Sequence, residues 1–259
     1  MQALLIAAFA LLGVAVGSFL NVCIDRLPSG KSIVFPPSHC DACEKGLSAI
    51  ENIPVLSYLW LRGRCRYCKA AIPRRVLWVE LTGGTAFALL YWHYGWSAEL
   101  AVMLFYFCLF LVIFVIDLEK YIVITYVVIA GLIAAILFSI FLEKSPIVPG
   151  IADAAIGGAI GLGIFIVIYL IAYAIYRGKG FGLGDVYIGV MMGFILGYPN
   201  IMVGILLSFW LGGATAVILV ILKLKRMKQA LPLGIFLSVG AITTLLWGAE
   251  ILDWYLDFF

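Results

Sequence analysis

Residues 98–120 read AELAVMLFYFCLFLVIFVIDLEK, and this stretch decides the class of fold. Residues 105–116 form an unbroken apolar run, and about 20 predominantly apolar residues are what a helix needs to cross a bilayer. The run ends at Asp117. An acidic residue at the edge of a membrane segment costs about 2.5–3.5 kcal/mol on insertion scales, so its presence there requires an explanation.

Comparable apolar stretches follow one another along the chain. Its 259 residues are 65% hydrophobic and 12% charged, and this charged fraction is about half that of a soluble domain. Each stretch is apolar all round, which excludes amphipathic surface helices. We predict an all-α polytopic membrane protein with eight transmembrane helices, at approximately residues 2–24, 76–94, 98–116, 121–142, 151–176, 184–197, 201–222 and 231–252.

The basic residues predict the orientation of these helices. With eight spans, 16 of the 17 Lys and Arg residues fall on one side of the membrane, and only Lys144 falls on the other. Positive residues stay on the cytoplasmic side, so we expect both termini outside and the 25–75 loop inside. The first stretch lacks the leading positive charge of a secretory signal and is interpreted as a membrane helix. The membrane topology explains where the basic residues lie, so we do not interpret them as a nucleic-acid-binding surface.

The hydrophilic 25–75 loop contains four of the six cysteines. They form two pairs, Cys40-Asp-Ala-Cys43 and Cys65-Arg-Tyr-Cys68, separated by 21 residues. Two CxxC turns can close a tetrahedral zinc site with four thiolates, and a loop of this size needs such a cross-link to fold alone. The alternatives are disulfides, which the cytoplasm disfavours, or cysteines without a ligand. His39, beside Cys40, could replace a thiolate, but we interpret it as a residue that supports the site from outside or faces solvent.

This loop divides the predicted chain into three parts. Residues 1–24 form the first transmembrane helix, residues 25–75 a small cytoplasmic zinc-binding domain, and residues 76–259 a membrane domain of seven helices. The membrane domain contains the acidic residues that we interpret next.

A second acidic residue, Asp185, is predicted to lie on the same side of the membrane and at the same depth as Asp117. Asp185 lies in the glycine-rich sequence GKGFGLGDV, residues 178–186, at the predicted cytoplasmic entrance of the sixth span. An aspartic protease requires two carboxyl groups that share one proton, so that one activates water while the other polarises the scissile carbonyl. We predict that Asp117 and Asp185 are the catalytic pair. Taken singly, each has a simpler interpretation, as a solvated helix end or a helix start.

Glycines surround the second aspartate. Gly182 and Gly184 are expected to support the site by allowing unusual backbone conformations and close approach of a substrate strand. Asp185 is followed at every fourth position by a glycine, so that these residues share one helical face: Gly189, Gly193 and Gly197. This pattern predicts that another helix packs closely here and that Asp185 faces a helix interface or cavity.

Along nearly its whole length the chain resembles the type IV prepilin peptidases, which are GxGD-type intramembrane aspartic proteases of the bacterial inner membrane. The resemblance rests on the order and spacing of several motifs: Gly17-Ser-Phe-Leu-Asn-Val22, Asp25-Arg-Leu-Pro28, both CxxC pairs, Arg62-Gly-Arg-Cys-Arg-Tyr-Cys68, Val79-Glu-Leu81, Asp117-Leu-Glu119 and Gly182-Leu-Gly-Asp-Val186. Members cleave the basic leader from prepilins and pseudopilins after a glycine on the cytoplasmic side. Many members with a zinc loop also N-methylate the new N-terminus.

The resemblance implies roles for particular residues and groups. Asp117 and Asp185 take the catalytic positions, and the four cysteines take the positions that bind structural Zn²⁺. The implied partners are a prepilin or pseudopilin substrate, the surrounding lipid, and S-adenosylmethionine as methyl donor. No glycine-rich cofactor loop is visible in the sequence, so the cofactor-binding residues are not predicted.

Three positions depart from the family pattern. Ile124 and Ile235 stand where proline is usual, and Tyr187 stands where lysine is usual. These departures concern loop shape and substrate preference, because both aspartates are present. Glu80, inside the second span, is interpreted either as snorkelling to the interface or as contacting the substrate's new amine or the methyl donor.

Two other functions remain as alternatives. A presenilin-type protease would cut other membrane substrates, but such enzymes usually have a tyrosine before the first aspartate, where this chain has Ile116. A non-enzymatic transporter or assembly scaffold would use the acids as an ion relay. Transporters often have repeated halves with sites near the midplane, and the sequence contains no visible repeat.

Overall fold

The computed structural model describes residues 1–142, 145–176, 182–223 and 231–257. Several residues used to predict the orientation lie outside the described residues, namely Glu143, Lys144, Arg177, Lys179, Lys225, Arg226 and Lys228. The first part of the glycine-rich sequence, residues 178–181, also lies outside them. Within the described ranges the regular structure is helical, together with two isolated β-bridges.

The helices follow the apolar stretches of the sequence closely. Each predicted span corresponds to one helix, and the ends agree to within about four residues. A 3₁₀ turn (Leu27–Ser29) follows the first helix, and the short second helix was not predicted. The helices are α1 (Gln2–Arg26), α2 (Leu56–Trp60), α3 (Arg74–Tyr94), α4 (Ala98–Lys120), α5 (Thr125–Phe141), α6 (Ile151–Tyr176), α7 (Leu183–Leu196), α8 (Asn200–Ile221) and α9 (Leu233–Leu256).

Five helices in the described part of the chain are long and apolar enough to cross a membrane, which supports a multi-pass membrane protein. They are α1 with its 3₁₀ turn, α4, α6, α8 and α9. The helices α5 and α7 are apolar but have only 17 and 14 residues. The 21 residues of α3 include Arg74, Arg75 and Glu80, which make it less apolar. Eight spans therefore stay a prediction.

Residue contacts divide the chain into two compact units, Met1–Cys108 and Leu109–Phe259, with the boundary inside α4. In the first unit α1 packs against α3. Glycines allow the close approach, because a methyl group added at Gly17 would lie 2.8 Å from the Cα of Glu80. Farther along the same pair, Phe9 and Tyr91 stack with their ring centroids 4.3 Å apart.

In the second unit α7 contacts α5, α6, α8 and α9. The predicted glycine stripe of α7 packs on glycines of α6, where Gly189 meets Gly161 and Gly193 meets Gly157 backbone to backbone. Side chains at these positions would hold the two helices apart. The expectation of close helix packing is thus confirmed. This packing places the start of α7, and with it Asp185, against its neighbours.

Candidate active site and metal centre

Asp117 lies inside α4 and not beyond it. The helix continues to Lys120, so the predicted end of this span at residue 116 is too early. The side chain of Asp117 is only 4% exposed, which excludes its interpretation as a solvated helix end. Tyr121, with φ of 56°, then stops the helix, and its N–H donates to the Asp117 carbonyl oxygen at 3.0 Å.

The first turn of α9 contacts the Asp117 carboxyl group. The backbone N–H groups of Gly234 and Ile235 donate hydrogen bonds to it. These N–H groups have no acceptor within their own helix, because the first turn of any helix leaves its donors free. The oxygen Oδ2 of Asp117 is buried and has no hydrogen-bond partner among the described residues. Sequence reasoning missed this contact, for which the only local signal is Pro232 at the start of α9.

Asp185 is the third residue of α7. Its Oδ2 accepts a hydrogen bond from the N–H of Gly182 at 3.3 Å, and its own N–H donates to the Gly182 carbonyl at 3.1 Å. This reciprocal pair caps the helix and fixes the carboxyl group at its N-terminus. Asp185 is partly exposed, and its charge interacts with that of Asp117. The residue before Asp185, Gly184, packs against Val123, six residues after Asp117, so the two predicted catalytic residues lie in the same region of the second unit.

The two supporting glycines do not need the conformational freedom that we expected of them. Gly182 has φ of −96° and ψ of 152°, an extended conformation open to any residue, and Gly184 is helical. A small apolar pocket is lined by residues of α4, of the segment after it and of α5: Val112, Ile113, Ile116, Ile122, Val123, Ile124 and Val127. The departure at Ile124 thus contributes to this pocket.

The four cysteines meet in one cluster within the first unit. Their sulfur atoms all lie within 4.8 Å of one another, and the Sγ atoms of Cys40 and Cys68 are 3.7 Å apart. A tetrahedral zinc site with Zn–S bonds of about 2.3 Å requires sulfur–sulfur distances of about 3.8 Å. The donor set therefore fits Zn²⁺. Among the described residues the cluster comprises the four cysteines, whereas Nδ1 of His39 lies 2.9 Å from the Pro37 carbonyl oxygen.

Both cysteine pairs adopt the same local fold. In each, the N–H of the first cysteine donates to a carbonyl five residues later, at 3.0 Å for Cys40 and 2.8 Å for Cys65. The residue after the second cysteine has a positive φ in both pairs, 56° at Glu44 and 62° at Lys69. An isolated bridge closes each turn, His39 with Gly46 and Arg64 with Ala71. The repeated turn presents two thiols to one point.

The environment of the thiols suits a cation. Backbone N–H groups of Cys68 and Tyr67 lower the pKa of Cys65 to about 7, which favours the thiolate that binds metal. Despite the N–H of Ala70, burial and the neighbouring thiols raise the pKa of Cys68 to about 11. Repulsion between neighbouring thiolates thus opposes ionisation of all four cysteines. A bound divalent ion would stabilise all four as thiolates.

Glu80 is buried, with only 3% of its surface exposed, so it does not snorkel. Its Oε2 accepts a hydrogen bond from the N–H of Val55 at 2.7 Å, and the hydroxyl group of Ser18 also bonds to the carboxyl group. Val55 has φ of 63° and ψ of −54°, a strained γ-turn for a β-branched residue. Glu80 therefore ties the cysteine loop to α1 and α3.

Two residues near the end of α1, Asn21 and Asp25, also form structural contacts with the start of α3. Asn21 is buried, and its Nδ2 donates to the Val76 carbonyl oxygen at 3.1 Å. Arg75 forms an ion pair with Asp25 at 2.6 Å. These contacts join the end of α1 to the start of α3, between which the cysteine loop is inserted.

Comparison with protein families gives two matches that together cover most of the chain. Residues 11–94 match the bacterial peptidase A24 N-terminal domain, and residues 103–217 match the type IV leader peptidase family. No solved structure matches the chain significantly.

Curated relatives match over similar lengths. A prepilin leader peptidase/N-methyltransferase of Aeromonas salmonicida strain A449 is 31% identical, with 95% of this chain and 92% of the relative covered. A protein of the same name from Myxococcus xanthus is 35% identical over 81% of this chain, but the match spans only 62% of that relative. A type 4 prepilin-like proteins leader peptide-processing enzyme of Escherichia coli O78:H11 is 34% identical, with 90% of each chain covered.

Proposed function

The chain belongs to the type IV leader peptidase family, and from that premise we propose that it removes the leader peptide from type IV prepilins or pseudopilins. In this proposal the bond after a glycine is hydrolysed, and the new N-terminus is then methylated with S-adenosylmethionine. The family match favours this function over a presenilin-type protease or a scaffold.

The proposed catalytic groups are Asp117 and Asp185. The observation that supports this proposal is that Oδ2 of Asp117 is buried with no partner among the described residues, while the segment after Asp117 packs at Val123 against Gly184, the neighbour of Asp185. Two neighbouring carboxyl groups cannot both ionise easily, so the pair holds one proton at neutral pH. The ionised member takes a proton from the attacking water, and the protonated member donates to the scissile carbonyl. The proton belongs to the pair, so we assign no fixed roles.

Zn²⁺ is proposed as a structural ion bound by Cys40, Cys43, Cys65 and Cys68. The ion would hold the two CxxC turns together, and four thiolates leave no position for a reacting water. S-adenosylmethionine would supply the methyl group, and we assign no residues to its binding. In this proposal residues 25–75 are the zinc domain, between the first transmembrane helix (1–24) and the protease domain (76–259).

The proposed location is the bacterial inner membrane, with eight spans and with the zinc loop and both aspartates on the cytoplasmic side. The test is to incubate the purified, detergent-solubilised chain with a prepilin and S-adenosylmethionine labelled in its methyl group. We expect a shortened product that carries the label at its new N-terminus. An intact prepilin after prolonged incubation would contradict the proposal, whereas cleavage without label would contradict only the methyl transfer.

A further inference from the structure

The loop between α1 and α3 contains an apolar stretch that the cysteine cluster does not explain. Residues 47–61, LSAIENIPVLSYLWL, include a single charged residue, Glu51. Glu51 is buried, and its Oε2 accepts hydrogen bonds from the N–H and hydroxyl groups of Ser48, each at 2.8 Å. The side chains that this stretch exposes therefore carry no charge.

Large apolar side chains are exposed at close intervals along this stretch. Their exposed fractions range from 42% at Ile53 to 83% at Trp60. Leu56, Leu59 and Trp60 share one face of α2, because residues three and four positions apart lie on the same side of a helix. A contiguous apolar surface of this kind is typical of a contact with a membrane or with another protein. The exposed apolar residues are Ile50, Ile53, Leu56, Leu59 and Trp60.

The hydrogen bond between Val55 and Glu80 determines the depth of this stretch. Val55 directly precedes α2, and its N–H donates to Oε2 of Glu80 at 2.7 Å. The backbone of Glu80 lies against Gly17 of α1, where an added methyl group would be 2.8 Å from the Cα of Glu80. Both residues belong to predicted spans, 2–24 and 76–94. At a rise of about 1.5 Å per residue, they lie about 6–10 Å inside the predicted span ends.

This depth is the one that interfacial helices occupy. The side chain of a helical residue leans toward the N-terminus of its own helix, so the Glu80 carboxyl group lies nearer to the membrane surface than its Cα. Val55 and the start of α2 are thus held at the boundary between lipid headgroups and acyl chains. Amphipathic helices that lie in a membrane surface bury their apolar face about 5–10 Å into this boundary.

The residues that follow α2 suit anionic headgroups. Arg62 and Arg64 come directly after the apolar stretch, and both are exposed. Interfacial segments combine Trp and Leu side chains with basic residues in this way. Trp is also enriched at membrane interfaces, where its ring contacts apolar chains and its N–H reaches polar groups. The depth and the charge together favour a lipid surface over a protein as the partner.

We propose that residues 50–60 form an interfacial anchor, whose apolar side chains insert into the cytoplasmic leaflet while Arg62 and Arg64 bind the headgroups of anionic phospholipids. This inference goes beyond the proposed function, but it rests on the proposed location of α1 and α3 in the membrane. The anchor and the hydrogen bond from Val55 to Glu80 together hold the cysteine loop against the membrane surface.

The test locates Trp60 by fluorine NMR of the full chain, labelled with fluorotryptophan and reconstituted in lipid nanodiscs. The Trp60 signal is identified by its absence from the Trp60→Phe variant. Trp78 is exposed on α3 inside the predicted span, and its signal, identified in the same way with Trp78→Phe, is the control for lipid contact. One relaxation agent is a phosphatidylcholine with a nitroxide near its headgroup, and the other is a gadolinium chelate in the water. We expect the nitroxide lipid to broaden the Trp60 signal at least about twofold more than the chelate does.

A second comparison tests the two arginines. Nanodiscs with about a third of phosphatidylglycerol should increase the lipid broadening of Trp60 relative to phosphatidylcholine alone, because basic residues near an anionic surface strengthen binding. The double variant Arg62→Gln, Arg64→Gln should lose this increase, and the Trp78 signal should not change. Equal broadening of Trp60 in both lipids would overturn the assignment of headgroups to the arginines.

Two results would overturn the anchor while the proposed membrane location stands. If the chelate broadens Trp60 more than the nitroxide lipid does, the side chain faces water, and protection by added prepilin would then identify a substrate contact instead. If neither agent broadens Trp60, protein covers it. In both cases the nitroxide lipid still broadens Trp78. A Trp78 signal that the lipid does not broaden would instead overturn the proposed location of α3, and this inference with it.

Discussion

Val123 lies directly against Gly184, and a methyl group added at Gly184 would lie 2.6 Å from the Cβ of Val123. Val123 belongs to the segment that links α4 to α5, shortly after Asp117, and Gly184 immediately precedes Asp185. The chain after one candidate catalytic residue therefore touches the chain before the other. The missing side chain at Gly184 allows this approach, which brings the end of α4 close to the start of α7.

This contact predicts that the two glycines of the GxGD sequence, Gly182 and Gly184, differ in how well they tolerate an added side chain. The Gly184→Ala variant should lower cleavage by at least about tenfold, because the added methyl group overpacks the contact by about 1–3 kcal/mol and displaces Asp185. The rate of prepilin cleavage by purified protein measures the effect.

Gly182→Ala is the matched control. Its backbone is extended, and among the described residues the nearest atom to an added methyl group is the Gly184 nitrogen at 3.8 Å, an ordinary contact. We expect activity within about twofold of the wild type. Equal losses in both variants would show that the contact with Val123 does not distinguish the glycines.

The cysteine cluster predicts one zinc ion per chain. Metal analysis of the purified protein should find about one equivalent, since four thiolates close a single tetrahedral site. The double variant Cys40→Ser, Cys65→Ser removes one ligand from each turn and should lose the ion. Cys108→Ser alters a cysteine in α4, outside the cluster, and should keep it. Full zinc content in the double variant would disprove the ligand assignment.

Burial of Glu80 predicts a structural effect on the cysteine loop. The Glu80→Ala variant leaves the Val55 N–H without its acceptor, a loss of about 1–3 kcal/mol that destabilises the strained turn. Limited proteolysis should therefore cut the loop several-fold faster. Glu80→Gln retains an acceptor oxygen and should be cut more slowly than Glu80→Ala. Identical cleavage rates in wild type and Glu80→Ala would contradict this role.

Hydropathy was sufficient to predict that these helices exist, but it predicted their ends less accurately. The apolar run of α4 ends at residue 116, yet Leu118, Glu119 and Lys120 favour a helix and prolong it. The helix α5 begins at Thr125, four residues later than predicted, because the positive φ of Tyr121 interrupts the helix and Ile124 is extended. Neither feature has a hydropathy signal.

The part of the candidate site that could be predicted is the part formed by residues close together in the sequence. Two CxxC turns form their cluster through local hydrogen bonds, so their spacing already predicts the geometry. The contacts of Asp117 with Gly234 and Ile235 and of Glu80 with Val55 could not be predicted in this way. Their donors are backbone N–H groups, which every residue except proline has, and only the packing of distant segments determines which of them face a carboxyl group.

The central claim is that Asp117 and Asp185 act together in hydrolysis. The most direct measurement is prepilin cleavage by purified Asp117→Asn and Asp185→Asn variants, with Asp153→Asn as the control because Asp153 is an exposed residue in the first turn of α6. Asparagine preserves the size of the side chain but cannot share a proton. We predict no detectable leader removal by either single variant, with normal expression, and full activity in the control. Normal processing by either Asp117→Asn or Asp185→Asn would contradict the account.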